Sequence, residues 1–268
     1  MSYRGRFAPS PTGPLHQGSL VAALASFLDA RQRGGEWLVR IEDVDIPRNV
    51  AGSDAEILRC LEACGLAWDG EVVYQTTRFD AYREALDQLR AAGFAYPCAC
   101  SRKEVGDGAY PGTCRAGIPP GREARSIRLR VPEEDSAAIP TGDFPLFRAD
   151  GIWAYQLAVV VDDGWQGITH VVRGADLLDS TPRQTLLQRR LGLPSVAYAH
   201  IPVVLGLGGE KLSKQTQAAP VHYLNPGPAL AEALRFLRQP VVEGMERWSA
   251  REIIAYATQS WNRAAALH

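Results

Sequence analysis

The stretch RFAPSPTGPLHQGSL, residues 6–20, decides how the rest of the chain is interpreted. It holds three prolines and two glycines, and its first residues belong to a short predicted buried strand at residues 3–8. The apolar side chains that follow recur at intervals of three and four residues, as in a helix: Leu20, Ala23, Leu24, Phe27 and Leu28. The pattern therefore predicts a strand, a rigid turn and then a helix from about Ser19 to Arg33.

This junction is suited to an anion, because a helix N-terminus carries unpaired N–H groups and about half a positive charge. The prolines fix the approach of the chain, and Gly13 and Gly18 leave room for a ligand. His16 is placed to donate a hydrogen bond to a phosphate oxygen. A nucleotide ligand explains these residues, and a proline-rich turn with Ser19 as an ordinary N-cap explains them equally well, so this stretch alone leaves both open.

The elements that follow indicate a parallel α/β sheet. EWLVRIEDVD, residues 36–45, is typical of a buried strand that ends in acidic residues. Residues 53–64 predict a helix with Ser53 as N-cap and a capping box, and residues 77–93 predict another. Cys60 and Cys64 are four residues apart on the apolar face of the first of these helices, so we interpret them as core residues. Alternating strands and helices of this kind favour a parallel sheet.

Composition narrows the functional classes. The net charge of −1 over 268 residues excludes a uniformly basic nucleic-acid binder, so an RNA-binding face has to be a local patch. The chain lacks a long apolar run and an N-terminal hydrophobic signal core, so we expect a cytoplasmic protein that does not enter a membrane. Five cysteines, an odd number, argue against a disulfide framework.

The amino-acid composition changes between residues 96 and 150, which are rich in Pro, Gly and Arg. We interpret this segment as an inserted subdomain. The chain is then predicted to divide into 1–95, the first half of an α/β domain; 96–150, the insertion; 151–205, the second half; and 206–268, a basic loop and a helical C-terminal region.

The basic loop has the sequence GGEKLSKQ, residues 208–215, with two lysines three positions apart behind paired glycines. Alone it is typical of a solvated charged loop. Together with HQGS at residues 16–19, it resembles the two signature motifs of class I aminoacyl-tRNA synthetases, in the right order and at a wide separation.

Further stretches narrow the resemblance to glutamyl-tRNA synthetases: LVRIEDVD at 38–45, WAYQLAVVVDD at 153–163 and VVRGAD at 171–176. Only about fifty residues follow the basic loop, whereas a full glutamyl-tRNA synthetase continues into an anticodon-binding region. With a Cys-x-Cys before a Tyr-x-x-x-Cys, the chain resembles the glutamyl-queuosine tRNA(Asp) synthetases, which attach glutamate to queuosine in the anticodon loop of tRNA(Asp).

The resemblance implies a Rossmann-type catalytic domain with a parallel sheet, a small zinc-containing insertion that resembles an acceptor-binding subdomain, and a short helical C-terminal region. It implies a ligase that forms glutamyl-adenylate from ATP and L-glutamate and uses Mg²⁺ with ATP. The expected RNA partner is tRNA(Asp) carrying queuosine, and we expect a monomer.

The resemblance also assigns residues to roles. His16, Lys211 and Lys214 are implied as the catalytic residues that neutralise phosphate charge, and His16, Gly18, Ser19 and Lys214 as the ATP-binding residues. The glutamate pocket is implied to consist of two arginines for carboxylates, an acid for the ammonium and smaller contacts: Arg6, Arg173, Glu42, Ala8, Ser10 and Tyr155. Outside this family, Glu42 is as well explained as a polar strand end, and Tyr155 as a core aromatic.

Three thiols in the insertion, Cys98, Cys100 and Cys114, have no histidine near them in sequence, although structural zinc takes four ligands. The resemblance implies Tyr110 as the fourth ligand of a structural zinc ion. Three loop thiols without a metal are the alternative.

Two other hypotheses stay open at this stage. One is a short glutamyl-tRNA synthetase that charges tRNA(Glu), and the other is a non-catalytic tRNA-binding paralog. Five arginines of the insertion form a basic patch that fits either RNA phosphates or a solvated strand edge: Arg115, Arg122, Arg125, Arg128 and Arg130.

Overall fold

The computed structural model describes residues 2–106, 108–204, 221 and 224–267. Its strands are β1 (Arg4–Phe7), β2 (Glu36–Ile41), β3 (Val73–Tyr74), β4 (Ala95–Cys98), β5 (Ser126–Leu129), β6 (Pro145–Phe147), β7 (His170–Gly174) and β8 (Ala197–Ile201). Its helices are α1 (Gln17–Gln32), α2 (Ser53–Ala63), α3 (Phe79–Ala91), α4 (Arg102–Val105), α5 (Tyr155–Trp165), α6 (Ser180–Leu191), α7 (Gly227–Phe236), α8 (Ala250–Ser260) and α9 (Arg263–Ala266).

The chain forms two compact units. The first consists of Met1–Tyr74, Ile168–Leu178 and Val196–His268, and the second of Gln75–Gly167 and Asp179–Ser195. The chain therefore leaves the first unit after β3 and returns to it for β7 and again for β8. The four-segment division into 1–95, 96–150, 151–205 and 206–268 stays a prediction.

A parallel sheet organises the first unit. Strands β1, β2 and β3 pair in parallel in that order, and β7 pairs in parallel with β8. The Thr169 backbone N–H donates to Arg4 O over 2.9 Å, which brings β7 alongside β1. The parallel α/β prediction is confirmed. Parallel strands end at one edge of a sheet, where ligands of open α/β folds bind.

The core of the first unit lies between this sheet and its helices. Helix α1 contributes a nearly continuous run of buried residues, from Leu20 to Ala30, and α7 and α8 pack against it. Cys60 and Cys64 are buried in the same core, as predicted. Helices α7 to α9 form the helical C-terminal region expected from the sequence.

The second unit contains an antiparallel sheet in which β5 lies between β4 and β6. Asp143 anchors the loops of this sheet, because its fully buried carboxylate accepts hydrogen bonds from Arg115, Tyr96 and the Val131 backbone N–H. Helices α3, α5 and α6 belong to the same unit and pack on one another.

Two helix starts differ from the prediction. Helix α1 begins at Gln17 with His16 as its N-cap, so neither the start at Ser19 nor the capping role of Ser19 is right. Helix α2 is preceded by Gly52, and the capping box of Ser53 is absent. The Ser53 hydroxyl instead accepts from Gly13 N–H over 2.9 Å and lies 2.6 Å from Gly13 O, to which it donates.

Within the described part of the chain, every helix falls short of the length and apolar character that crossing a bilayer requires.

Candidate functional site

The turn between β1 and α1 is held by contacts with segments distant in sequence. Pro9 O accepts from Glu42 N–H and Pro11 O from Val50 N–H, each over 2.9 Å. Gly13, held at both its N–H and its C=O by Ser53, has a φ of 138°, which a residue with a side chain rarely adopts. The predicted rigid turn is therefore present, and its rigidity comes from these contacts as well as from its prolines.

His16 caps α1 through its side chain. Its Nδ1 accepts the Ser19 backbone N–H over 3.2 Å, and its Nε2 lies 3.1 Å from the Ser19 hydroxyl. Because Nδ1 accepts, a neutral imidazole here carries its proton on Nε2. The capping contact thus sets the tautomer that a phosphate-binding histidine requires.

A cavity of about 260 Å³ opens at the N-terminus of α1 within the first unit. Its walls come from the turn, from the first turns of α1 and from the ends of β7 and β8: Phe7, Ala8, Pro9, Ser10, Thr12, His16, Gly18, Ser19, Ala22, Gly174, Asp176 and Ile201–Val204. Five residues predicted for ATP or glutamate binding are among them: Ala8, Ser10, His16, Gly18 and Ser19. Asp176, which was not predicted from the sequence, also lines the cavity.

Three charged residues predicted for glutamate lie at or next to the carboxyl ends of parallel strands. Arg6 is on β1, Arg173 on β7 and Glu42 directly after β2, and each is less than a tenth exposed. A charged side chain with so little exposure requires compensating partners, and a ligand with opposite charges can add to those that the chain itself supplies. Arg6 is therefore not a surface arginine.

Two further polar residues next to this set were missed. Arg40 on β2 is fully buried, and its Nη2 lies 3.6 Å from Glu42 Oε1. His200 on β8 accepts from Arg173 Nε over 3.4 Å. Arg40 lies within LVRIEDVD, one of the stretches that carry the resemblance, so it could have been found, whereas His200 has no local signal.

The remaining predicted site residues stand apart. Tyr155 is the first residue of α5, in the second unit, so its predicted role in glutamate binding stays a prediction. Lys211 and Lys214 lie outside the described residues, and so does the rest of the KLSKQ motif.

The three predicted thiol ligands form one buried cluster in the second unit. The sulfurs of Cys98, Cys100 and Cys114 lie within 4.8 Å of one another. The Tyr110 hydroxyl lies 3.3 Å from Cys98 Sγ and 3.7 Å from Cys100 Sγ, and Cys100 Sγ is 3.7 Å from Cys114 Sγ. The structure therefore assembles all four residues that the resemblance implied.

These separations fit a tetrahedral zinc site. With Zn–S bonds of about 2.3 Å, the edge of a tetrahedron of sulfurs is about 3.8 Å, close to the contacts above. Backbone N–H groups surround the ligands: Ala99 N–H points to Cys114 Sγ over 3.4 Å, and Cys114 N–H to the Tyr110 oxygen over 3.0 Å. Such donors stabilise thiolate and phenolate ligands. The residues present thus fit a zinc ion.

The electrostatics of the cluster favour one thiolate. Burial opposes ionisation of Cys98, but hydrogen bonds from Tyr110, the Cys100 backbone and Arg128 outweigh it and lower its pKa to about 7. Burial and the contact with Cys98 raise the pKa of Tyr110 above its ordinary value. Without a metal, the Tyr110 hydroxyl therefore keeps its proton and donates to Cys98. Ligation by Tyr110 requires a cation to displace that proton.

The predicted basic patch is largely engaged within the insertion. Arg115 pairs with Asp143 and Arg122 with Glu104. Arg128 lies over the Tyr110 ring, and Arg130 over the Tyr96 ring. These contacts favour a structural role for the four side chains, while Arg125 is exposed.

Comparison with known proteins places these features in a family. The model described as "tRNA synthetases class I (E and Q), catalytic domain" matches residues 2–109 and 123–258, so Tyr110 and Cys114 fall outside the match. A protein named glutamyl-Q tRNA(Asp) synthetase from Dechloromonas aromatica is 57% identical over 97% of this chain and 94% of its own length. One of the same name from Aromatoleum aromaticum is 53% identical over 97% and 89%.

The fold also resembles solved structures. A glutamate tRNA ligase from Elizabethkingia meningosepticum, solved in complex with its amino acid, superposes with a TM-score of 0.78 at 25% identity. The alignment covers 99% of this chain and 66% of that one.

Proposed function

This chain belongs to the class I tRNA synthetases for glutamate and glutamine, and from that premise we propose that it activates L-glutamate with ATP and transfers it to queuosine in tRNA(Asp). The relatives named glutamyl-Q tRNA(Asp) synthetase support this choice of acceptor. One structural observation supports the first step: buried Arg6, Glu42 and Arg173 stand at the strand ends of the sheet whose edge also bears the cavity at α1.

In the first step, a carboxylate oxygen of glutamate bonds to the α-phosphorus of ATP, and the bond from that phosphorus to the bridging oxygen breaks. Glutamyl-adenylate forms and pyrophosphate leaves with the electron pair. In the second step, a nucleophile on the queuosine base bonds to the acyl carbon, and the bond from that carbon to the phosphate oxygen breaks. AMP leaves with the electron pair, and the proton of the nucleophile passes to solvent. Because a carboxylate is already nucleophilic, the protein has to position the reactants and neutralise phosphate charge rather than supply a strong base.

The N-terminus of α1 serves the phosphates. Its dipole and first-turn N–H groups favour an anion, and Gly18 and Ser19 at that turn line the cavity. His16, with a proton on Nε2, donates to a phosphate oxygen. Lys214, with Lys211 nearby in sequence, stabilises the pentavalent phosphorus and the leaving pyrophosphate. Mg²⁺ bound with ATP supplies further neutralisation of phosphate charge.

The charged set at the strand ends serves glutamate. Glu42 pairs with the ammonium group, and Arg6 and Arg173 pair with carboxylates, for which the planar guanidinium is suited. Ala8 and Ser10 complete the pocket in this proposal, and the role of Tyr155 in glutamate binding rests on the resemblance alone. The chain acts as a monomer.

The cysteine cluster holds a structural zinc ion in this proposal, with Cys98, Cys100, Tyr110 and Cys114 as its ligands. The hydrophobic residues around it are few, namely Tyr96, Ala99, Val105 and Ile118 beside the ligands themselves. A metal replaces the missing core, because binding free energy at a structural zinc site is also folding free energy.

The test of this function is charging with labelled glutamate and ATP. Three RNAs are compared: tRNA(Asp) carrying queuosine, the same tRNA without queuosine as the matched control, and tRNA(Glu). We expect label on the first RNA alone. Label on tRNA(Glu) would overturn the proposed acceptor in favour of a short glutamyl-tRNA synthetase, and no label with no ATP–pyrophosphate exchange would leave a tRNA-binding paralog.

A substitution of His16 separates its capping role from its phosphate role. Asn is a favourable N-cap residue, so His16→Asn keeps an acceptor for the Ser19 N–H but loses the Nε2 donor. A hydrogen bond to a charged group contributes about 1.5–3 kcal/mol. We therefore expect the rate of adenylate formation to fall about 10- to 100-fold, measured by ATP–pyrophosphate exchange.

Thermal unfolding of the same variant provides the control. Its midpoint should stay near that of the wild type, because the N-cap is retained. A variant that keeps full exchange activity would contradict the phosphate role, and one that loses activity only in proportion to its stability would assign His16 to the helix alone.

A further inference from the structure

We propose that His200 is a positioning residue for glutamate, acting through Arg173. The inference rests on the proposed role of Arg173 in binding a glutamate carboxylate. It adds a residue that does not itself contact the substrate but sets the orientation of the group that does.

The two residues are direct neighbours across the pair β7–β8. Arg173 and His200 are paired in register, and Arg173 Nε donates to His200 Nε2 over 3.4 Å. Their exposed fractions are 4% and 6%, so water competes little for this contact. A hydrogen bond to a charged donor is stronger when it is shielded from water.

Two more contacts restrain the same guanidinium. Its Nη2 donates to Leu177 O over 3.2 Å, and its central carbon lies 4.8 Å from the centre of the Tyr198 ring. The contacts with His200 and Leu177 restrain two nitrogens of the planar group, and the Tyr198 ring supports its face. A forked pair with a carboxylate requires the guanidinium plane to be oriented correctly, so these contacts preorganise Arg173 for that pairing.

The protonation state of His200 suits this task. Nε2 accepts only when it carries no proton, which places the proton of the neutral ring on Nδ1. Burial and the charge of Arg173 hold the pKa of His200 below its usual range, while Asp176 has the opposite effect. At neutral pH the ring is therefore an uncharged acceptor, and its contact with Arg173 is attractive.

The test is the dependence of ATP–pyrophosphate exchange on glutamate and on ATP for His200→Leu and His200→Gln. Leu removes the acceptor and keeps an apolar side chain, so we expect the KM for glutamate to rise about tenfold, with the KM for ATP within twofold of wild type. Gln offers an amide oxygen as acceptor, so it should restore the KM for glutamate to within about threefold of wild type. A purely structural role would shift both KM values and would not favour Gln.

His170→Gln is the matched control. His170 is at the other end of β7, stacked on Tyr3 with ring centres 4.1 Å apart. Its substitution should therefore leave both KM values unchanged. Thermal unfolding shows whether each variant folds. If His200→Leu does not fold, His200→Gln still provides a decisive test. An unchanged KM for glutamate in His200→Leu, or equal rises for glutamate and ATP, would overturn the inference.

Arg173→Leu distinguishes this failure from failure of the proposed function. If Arg173→Leu raises the KM for glutamate strongly and His200→Leu does not, the pocket assignment stands and the positioning role is wrong. If Arg173→Leu leaves the KM for glutamate unchanged, the pocket assignment and the positioning role are both wrong. If both single variants raise the KM and the double variant matches Arg173→Leu, His200 acts through Arg173, because residues that share one function are not additive.

Discussion

Replacing Arg6 by methionine should raise the KM for glutamate about 150- to 5000-fold and leave the KM for ATP close to wild type. Arg6 is 4% exposed in β1, so in the variant a glutamate carboxylate would lose its water without gaining a cation. Removing one partner of a buried ion pair costs about 3–5 kcal/mol, which corresponds to this range. Met preserves the apolar stem, and the measurement is exchange activity against glutamate concentration.

Arg4 provides the matched control at the other end of the same strand. It pairs with Glu36 at the surface, where its side chain is 38% exposed, and such pairs contribute about 0–1 kcal/mol. Arg4→Met should therefore leave both KM values unchanged. Arg6→Lys, which keeps the charge and loses the fork, should give an intermediate rise. Wild-type KM for glutamate in Arg6→Met would show that Arg6 does not bind the substrate.

Replacing Cys114 by serine should remove the bound metal and unfold the loops of the insertion. Wild-type protein is expected to carry one zinc ion per chain, measured by elemental analysis of protein purified without added metal. Structural zinc sites in small peptides contribute about 10–16 kcal/mol of apparent binding free energy at neutral pH. Losing one ligand of four should reduce zinc content to a trace and make residues 99–125 the first site of cleavage by added protease.

Cys60→Ala is the control for this experiment. Cys60 is equally buried but lies on α2 in the first unit, so the variant loses packing while zinc content stays at one per chain. Chelation of the wild type should reproduce the protease pattern of Cys114→Ser. Wild-type protein that is zinc-free, fully folded and resistant to protease would show that the three thiols hold no metal.

The sequence predicted elements well where a local pattern specified them. The spacing of Leu20, Ala23, Leu24, Phe27 and Leu28 predicts α1, and these five residues are buried, although burial also extends to other faces of the helix. Helix starts were less predictable, because they depend on partners elsewhere in the chain. Ser53 and Glu56 have the spacing of a capping box, but Ser53 bonds Gly13. Ser249 and Glu252 have the same spacing and form the box.

The candidate site shows the same limit. The resemblance implied Arg6, Glu42, Arg173 and the zinc ligands. His200 escaped notice because its partner lies on the neighbouring strand, and strand pairing is not visible in single residues. Asp176 was not predicted either, because only the folded chain brings it to the cavity wall.

The contact between Arg4 and Thr169 has a consequence during synthesis of the protein. The two residues are 165 positions apart, so β1 leaves the ribosome long before β7 exists. At about 5–20 residues per second, that interval lasts about 10–30 s. Through this time the outer edge of β1 presents unpaired backbone groups to other nascent chains, which is a hazard for aggregation. Chaperone binding to the nascent chain is therefore expected to be strongest between the emergence of β1 and that of β7, and to decline once β7 covers that edge.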